Sequence, residues 1–452
     1  MNSIAKAKSP DHVPFWKMAA WATRPISLGA VTIITMYLSM YCTDTLGMPP
    51  ALVGTLLMAS KVFDGVTDLF AGWLVDNTNS RWGKGRPYEL SIIGVWVCMF
   101  ALFSGSENWS MATKSIWIFV MYTLVFSVFS TLLNAAETTY SIRAFRTQMA
   151  VVKVASYSGI LVTLGSMIIS VSFPIFVGTM GTSTAGWRKL MAMYAIPLVV
   201  VGLVRFLFVK EVATEQSEAK DEKVEFKDIL RLVTGNKYIW LLAIVFMVPT
   251  LVTSMAAGTY YFTWIVGDIK KFSAMQMIGI FSLVLILFFP TLMKKFSAMD
   301  IIGATAALAI AGYTLCFFAG KNLVVIAIGL LLSGLVTLPT SYMKSPLIMQ
   351  IADYNAYQGQ PRMVASMAAI ANFTNKLGGA FGSFLLGVML DVGGYNGTLT
   401  VQPDSALMMI RVLFGIIPSI FMVIVLICVV AYRPLDRFLQ EKSKNKQAEA
   451  KA

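Results

Sequence analysis

Residues 210–236 read KEVATEQSEAKDEKVEFKDILRLVTGN and form the longest charged segment between apolar stretches of this 452-residue chain. On either side, long runs such as 154–187 and 238–267 contain no Asp, Glu, Lys or Arg. A helix that spans a bilayer needs about 20 mostly apolar residues. The charged segment therefore predicts a polar connector between two halves of the chain that are embedded in a membrane.

The composition agrees with this interpretation. Hydrophobic residues make up 57% of the chain and charged residues 13%, against about 45–50% and about 25% in soluble domains. These values exclude a soluble enzyme, a disordered chain and a nucleic-acid-binding domain. The chain has one histidine and four cysteines without a CxxC pair, so we expect no enzymatic activity and no cofactor.

Apolar runs predict an all-α membrane protein with twelve transmembrane helices, six on each side of the connector. The predicted domains are an N-terminal six-helix bundle (1–209), a cytoplasmic linker (210–236), a C-terminal six-helix bundle (237–433) and a cytoplasmic tail (434–452). The predicted spans lie near 25–45, 51–75, 89–106, 115–137, 154–178, 188–209, 237–266, 272–292, 300–319, 322–344, 366–391 and 406–432.

The distribution of basic residues predicts the orientation. With both termini in the cytoplasm, the cytoplasmic segments carry 26 of the 36 Lys and Arg residues and the opposite side carries 6. Cytoplasmic loops of membrane proteins are enriched in Lys and Arg. We therefore expect a multi-pass protein of the bacterial cytoplasmic (inner) membrane with both termini inside.

The second predicted span carries three charged residues, Lys61, Asp64 and Asp68. An ionised group near the bilayer centre costs at least about 2.5–3.5 kcal/mol, so such residues usually serve a site. Asp64 and Asp68 are four residues apart and share a helix face. Two carboxylates there suit a small hard cation or a coupled proton-binding pair. A purely structural charge cluster is the alternative.

Other charges lie in or near the predicted spans. Lys376 lies among small residues in the span 366–391, and its expected partner is the Asp64/Asp68 pair; a static bridge is the alternative. Arg205 and Arg411 lie near span ends and are expected to snorkel to the interface. Glu137 ends the fourth span and could face either a cavity or cytoplasmic water.

Two six-helix bundles joined by a cytoplasmic linker resemble the major facilitator superfamily, whose substrate site lies between the halves near the bilayer midplane. Gly72 followed by Asp76, and then a glycine-rich basic loop, resembles that superfamily's connection between helices 2 and 3. The resemblance implies a latch on the cytoplasmic side. The residues of this predicted cytoplasmic gate are Asp76, Arg81, Arg86 and Arg362.

Residues 63–88, FDGVTDLFAGWLVDNTNSRWGKGRPY, resemble the helix 2 signature of the glycoside–pentoside–hexuronide:cation symporters, which include the melibiose permeases. Residues 36–47 (MYLSMYCTDTLG), 351–355 (IADYN) and 375–378 (NKLG) agree with further motifs of that family. The resemblance implies Na⁺- or H⁺-coupled import of a sugar or glycoside by alternating access.

The resemblance also implies roles for individual residues. It places the cation ligands, with Asp64 and Asp68 holding the metal if the ion is Na⁺, at Asp64, Asp68, Thr131 and Asn134. It makes Lys61 and Lys376 the coupling charges. The substrate-binding candidates, which include aromatic residues suited to sugar stacking, are Lys153, Lys376, Asn372, Tyr37, Tyr41, Trp264 and Tyr342.

Two departures from melibiose-type members bear on the substrate. The sugar-binding aspartate early in their helix 1 is Leu28 here, and their helix 4 acid is Asn134. These changes remove carboxylates while Lys61, Lys153 and Lys376 remain. A less negative cavity favours an anionic sugar such as a hexuronide or an oligouronide.

The alternative function is a lipid or lysolipid transporter of the same superfamily, which would need an apolar cavity with a lateral opening. An intramembrane enzyme is disfavoured, because the chain has no His or Cys constellation. The expected partners are a small sugar or glycoside and membrane lipids, with no nucleic acid, and we expect a monomer.

Overall fold

A computed structural model describes residues 13–78, 80–145, 148–211, 236–278, 292, 295–359 and 364–449. The longer helices that these residues form are α1 Phe15–Thr35, α2 Pro50–Asp76, α3 Ser91–Leu102, α4 Met111–Thr123, α5 Thr131–Ala144, α6 Gln148–Met180, α7 Thr184–Phe208, α8 Lys237–Met255, α9 Ala298–Phe318, α10 Leu323–Gly334, α11 Lys344–Tyr357, α12 Val364–Val392 and α13 Ile417–Glu449.

The prediction of an all-α fold is confirmed. Within the described ranges there is no strand, only an isolated bridge between Ser80 and Gly83. Every predicted span overlaps a described helix; 272–292 overlaps only Lys271–Gln276, because most of that span lies outside the described residues. Helix α11 was not predicted, because its charged and polar residues interrupt any apolar run and the prediction relied on such runs.

Six of the described helices are long and apolar enough to cross a membrane. A seventh is added if Phe15–Thr35 and Leu38–Thr45, which meet at 42°, form one span. The six are Met111–Glu137, Tyr157–Met180, Thr184–Phe208, Lys237–Val266, Ala298–Phe318 and Asp404–Leu439.

Within the described residues, four short stretches of π-helix interrupt the regular helices. π-Helical turns widen the backbone by one residue and are frequent at functional sites. One of them, Leu124–Ser130, joins α4 to α5 and places Thr131 at the start of α5. The other three are Tyr41–Thr45, Tyr261–Val266 and Val412–Ile416.

The chain divides into two compact units. Unit 1 comprises Met1–Met48 and Ala59–Asp221, and unit 2 comprises Pro49–Met58 and Glu222–Ala452. The first turns of α2 therefore belong with unit 2, where they pack on α12 so closely that a Cβ at Gly54 would lie 2.9 Å from the Ser383 carbonyl oxygen. The predicted linker 210–236 lies largely outside the described residues, and the predicted domain boundaries stay a prediction.

Unit 1 contains a buried cluster of four charges, which we call the charge quartet: Arg24 of α1, Glu89, Glu137 of α5 and Arg205 of α7. Glu89 Oε1 lies 3.5 Å from Arg24 Nε and 3.7 Å from Arg205 Nε. Glu137 Oε2 lies 2.8 Å from Arg205 Nη2 and also pairs with Arg24. The two cations and two anions offset each other, so the quartet can remain ionised away from water.

The expectation that Arg205 snorkels is wrong. Its side chain is 0% exposed, and its guanidinium carbon lies 3.2 Å from the centroid of the Trp21 ring. A cation between an aromatic face and two carboxylates does not need to reach the interface. Glu137 faces these arginines and keeps 34% of its side chain exposed.

We predict that Arg205→Met destabilises the protein by about 3–5 kcal/mol, because it leaves buried carboxylates without their partner. The apparent Tm of the purified protein in detergent should fall by about 5 °C or more. Arg188→Met, which removes an exposed arginine near the other end of the same helix, serves as the matched control. The double variant with Glu89→Gln should lose less than the two single losses added together. Additive losses would contradict the quartet.

Candidate functional site

The predicted cation site is built around Asp64 of α2. The Thr131 hydroxyl donates a hydrogen bond to Asp64 Oδ1 at 2.9 Å. Thr131 is 5% exposed, while Asp64 is half-buried. The structure therefore brings together two residues that lie 67 positions apart, one on each of two neighbouring helices.

Thr131 has a second acceptor within reach. Its hydroxyl lies 3.0 Å from the Phe126 carbonyl oxygen in the π-helical stretch. A hydroxyl has one proton and two lone pairs, so donation to Phe126 turns a lone pair toward Asp64. In that state the threonine oxygen can contribute to a cation's ligand shell or accept a proton from a neutral Asp64. The geometry suits a site that exchanges a small cation.

Polar contacts hold this part of α2 against the 111–144 segment. Thr123 donates to the Ser60 hydroxyl at 2.8 Å, and the Ser127 hydroxyl donates to the Ser60 carbonyl at 3.3 Å. Ser60 is fully buried and lies one turn before Asp64. Since hydroxyl pairs between apolar helices fix their register, these bonds set the position of Asp64 relative to Thr131.

The remaining predicted cation residues are described to different degrees. Asn134 is exposed and lies one turn after Thr131 on α5. Lys61 is half-buried and lies one turn before Asp64. The side chain of Asp68 lies outside the described residues. Within the described side chains, no group of three or more His, Cys, Asp or Glu residues could hold a metal.

In unit 2, polar side chains gather where α8, α11 and α12 meet. Lys344 Nζ donates to Asn372 Oδ1 at 2.5 Å, and Thr250 donates to Asn375 Oδ1 at 3.5 Å. Lys376 is half-buried one turn beyond Asn372. Sequence reasoning missed Lys344, because it is the last residue of the predicted span 322–344 and was counted among the basic residues that set the orientation.

Other predicted substrate residues lie elsewhere. The Trp264 indole donates to the Tyr395 hydroxyl at 2.8 Å and is half-buried. Lys153 is exposed on α6. The side chain of Tyr342 lies outside the described residues. The structure therefore pairs Asn372 with Lys344 and Trp264 with Tyr395.

Tyr37 and Tyr41 are packed inside unit 1. Tyr37 is 1% exposed and Tyr41 is 0% exposed. The Tyr37 ring contacts Phe173 edge-on, and the Tyr41 ring lies 5.3 Å from that of Trp187. In this structure both rings have a packing role, which an aromatic residue on an apolar helix commonly has.

The predicted gate residues are only partly described. The Arg86 guanidinium donates to the Phe206 carbonyl at 3.0 and 2.8 Å, and Arg81 is exposed over the Trp82 ring. The Asp76 side chain and Arg362 lie outside the described residues. A residue that sequence reasoning missed, Glu211, accepts backbone N–H bonds from three successive residues, Lys84, Gly85 and Arg86.

A family model described as MFS/sugar transport protein matches residues 27–437. The chain therefore belongs to this family of major facilitator transporters, and the resemblance found in residues 63–88 to the glycoside–pentoside–hexuronide:cation symporters is confirmed.

Relatives match along almost the whole chain. The uncharacterized symporter YnaJ of Bacillus subtilis (strain 168) is 27% identical over 91% of this chain and 89% of its own length. The isoprimeverose transporter of Lactiplantibacillus pentosus is 25% identical over 90% and 88%. The glucuronide carrier protein homolog of Escherichia coli (strain K12) is 22% identical over 90% and 89%.

Solved structures agree on the fold. A bacterial homologue of the human lysosomal transporter Spinster, in an inward-facing and unoccupied conformation, matches with a TM-score of 0.70. The match covers 95% of this chain and 98% of that chain at 13% sequence identity. The protein is thus a multi-pass membrane protein with the major facilitator fold, a sugar transporter and not an enzyme.

We predict that Tyr37→Phe is neutral or stabilising by up to about 1 kcal/mol. The Tyr37 hydroxyl is buried and has no hydrogen-bond partner among the described residues. Tyr41→Phe is the matched control and should cost about 1 kcal/mol, because it removes the bond to the Gly105 carbonyl. Apparent Tm values of both variants test this pair. A large loss of stability in Tyr37→Phe would contradict the packing role.

Proposed function

We propose that this protein is a cation-coupled symporter that imports a sugar or glycoside by alternating access. The coupling ion, Na⁺ or H⁺, binds at Asp64 with Thr131, Asp68 and Asn134 completing the site. The protein works in the bacterial inner membrane with both termini in the cytoplasm, the orientation that the bias of basic residues favours.

One observation carries the cation site: the 2.9 Å hydrogen bond from Thr131 to Asp64. A carboxylate in an apolar helix is costly when ionised, so a residue of this kind usually serves a site. A bound proton or Na⁺ would neutralise the carboxylate, so the site gains stability when it is loaded. This supports a carboxylate that exchanges a cation.

Coupling follows from the same charge. If the cation raises the affinity for sugar, the sugar must raise the affinity for the cation by the same factor. Neutralising Asp64 also removes a negative charge that would repel an anionic substrate. The proposed order is therefore that cation binding at unit 1 favours sugar binding.

The finer substrate proposal is an anionic sugar, such as a hexuronide or an oligouronide. Two lysines, Lys344 and Lys376, lie close to the polar residues of α12, and the carboxylates expected in melibiose-type members are replaced at positions 28 and 134. A relative of almost equal length is named as a glucuronide carrier homolog. Another is named as an isoprimeverose transporter, so uptake must decide between charged and neutral sugars.

We predict that Asp64→Asn abolishes the stimulation of sugar uptake by an ion gradient in proteoliposomes. Thr131→Ala should raise the half-saturating cation concentration about tenfold or more, because it removes a hydrogen bond to a charged group. Thr131→Ser retains the hydroxyl and should stay near wild type.

Thr179→Ala, which removes an exposed threonine on α6, is the matched control. Sodium gradients at constant pH and pH gradients at constant sodium identify the ion. Gradient stimulation that survives in Asp64→Asn would contradict the proposed cation site.

A further inference from the structure

Lys344 has a neutral hydrogen-bond partner. Its Nζ donates to Asn372 Oδ1 and lies 5.9 Å from the centroid of the Phe246 ring. The side chain is half-buried at the start of α11. Among the residues that the structure describes, no carboxylate pairs with Lys344.

The charge quartet provides a comparison, because its buried arginine side chains stabilise the fold. Arg24 and Arg205 are each paired with two glutamates. An amide oxygen carries a partial charge and offsets an ammonium less well than a carboxylate does. Lys344 is therefore incompletely compensated, which favours an anionic ligand as its second partner.

The orientation of Asn372 adds to this preference. A lysine ammonium has only donors, so Asn372 must turn its oxygen to Lys344 and its NH₂ group away. Asn372 is exposed on α12, and its NH₂ group has no hydrogen-bond partner within the described ranges. Counting only partners in the described part of the chain, the pair thus presents two unused N–H bonds of the ammonium and two of the amide. A group of donors without an acceptor selects an anion.

We infer that Lys344 and Asn372 form the subsite that binds the carboxylate of an anionic sugar. The ammonium pairs with one carboxylate oxygen, and the amide NH₂ donates to the carboxylate. Lys376, one turn further along α12, adds positive charge on the same face of the helix. This inference rests on the proposed function, since it assigns the transported sugar to the uronides.

Two sugars test the subsite directly: methyl glucuronide and methyl glucoside, which differ by a carboxylate in place of the C6 hydroxymethyl group. Calorimetric binding to the purified protein and uptake into proteoliposomes give their Kd and KM values. Lys344→Met should raise the ratio of the Kd or KM for methyl glucuronide to that for methyl glucoside about tenfold. This is the usual effect of losing a hydrogen bond to a charged group. Lys344→Arg should retain most of the discrimination.

Asn372→Asp is the sharper variant. It places a carboxylate beside Lys344, which keeps the local charge satisfied and the fold intact while occupying the subsite with an internal anion. The same ratio should rise at least as much as in Lys344→Met, and the apparent Tm should not fall. Lys321→Met, which removes an exposed lysine between α9 and α10, is the matched control and should leave the ratio unchanged.

The outcomes separate this inference from the proposed function. Binding of glucuronide that depends on Lys344 but uptake that ignores ion gradients would refute symport and retain the subsite. Gradient-driven uptake with an unchanged ratio in Lys344→Met and Asn372→Asp would refute the subsite and retain symport. A wild-type protein that prefers methyl glucoside, or that binds lysophosphatidylglycerol and neither sugar, would overturn the subsite as well.

Discussion

Each ionised group inside an apolar helix must find a partner, and this constraint organises the protein. The largest response is the charge quartet, in which Arg24 and Arg205 are offset by Glu89 and Glu137. Its members come from α1, α5, α7 and the turn before α3, so one set of ion pairs ties four elements of unit 1 together. Removing any one charge leaves the others buried and uncompensated.

The type of partner distinguishes the charged residues that stabilise the fold from those that we propose bind a ligand. In the quartet, cations meet carboxylates, and the charge is satisfied without a ligand. Asp64 instead meets a hydroxyl, and Lys344 meets an amide. A neutral partner orients a charge without cancelling it, so Lys344 retains an affinity for an ion of opposite sign. A transporter needs this property, because its ligands must bind and leave.

Much of the fold could be predicted from the sequence, because each membrane-spanning helix is marked by its own run of apolar residues. Runs such as 238–267 contain no charged residue, and a span of that length has few alternatives in a bilayer. Asp64 could be singled out because it is a charged residue inside such an apolar span. The resemblance to the symporter family implied Thr131. Helix α11 was missed because its polar residues do not form an apolar run. The prediction for Arg205 was wrong because an arginine side chain near the end of a span commonly reaches to the membrane interface.

By itself, the sequence determined the helical membrane class, the position of most spans and the charged residues of α2, since these depend on composition and spacing along one segment. Only the tertiary structure decided which charges are paired. Arg205 finds Glu89 and Glu137, Thr131 finds Asp64 across 67 positions, and Lys344 finds Asn372. The physical reason is that an ion pair or hydrogen bond depends on which helices are neighbours, and neighbours are set by packing that no single segment encodes.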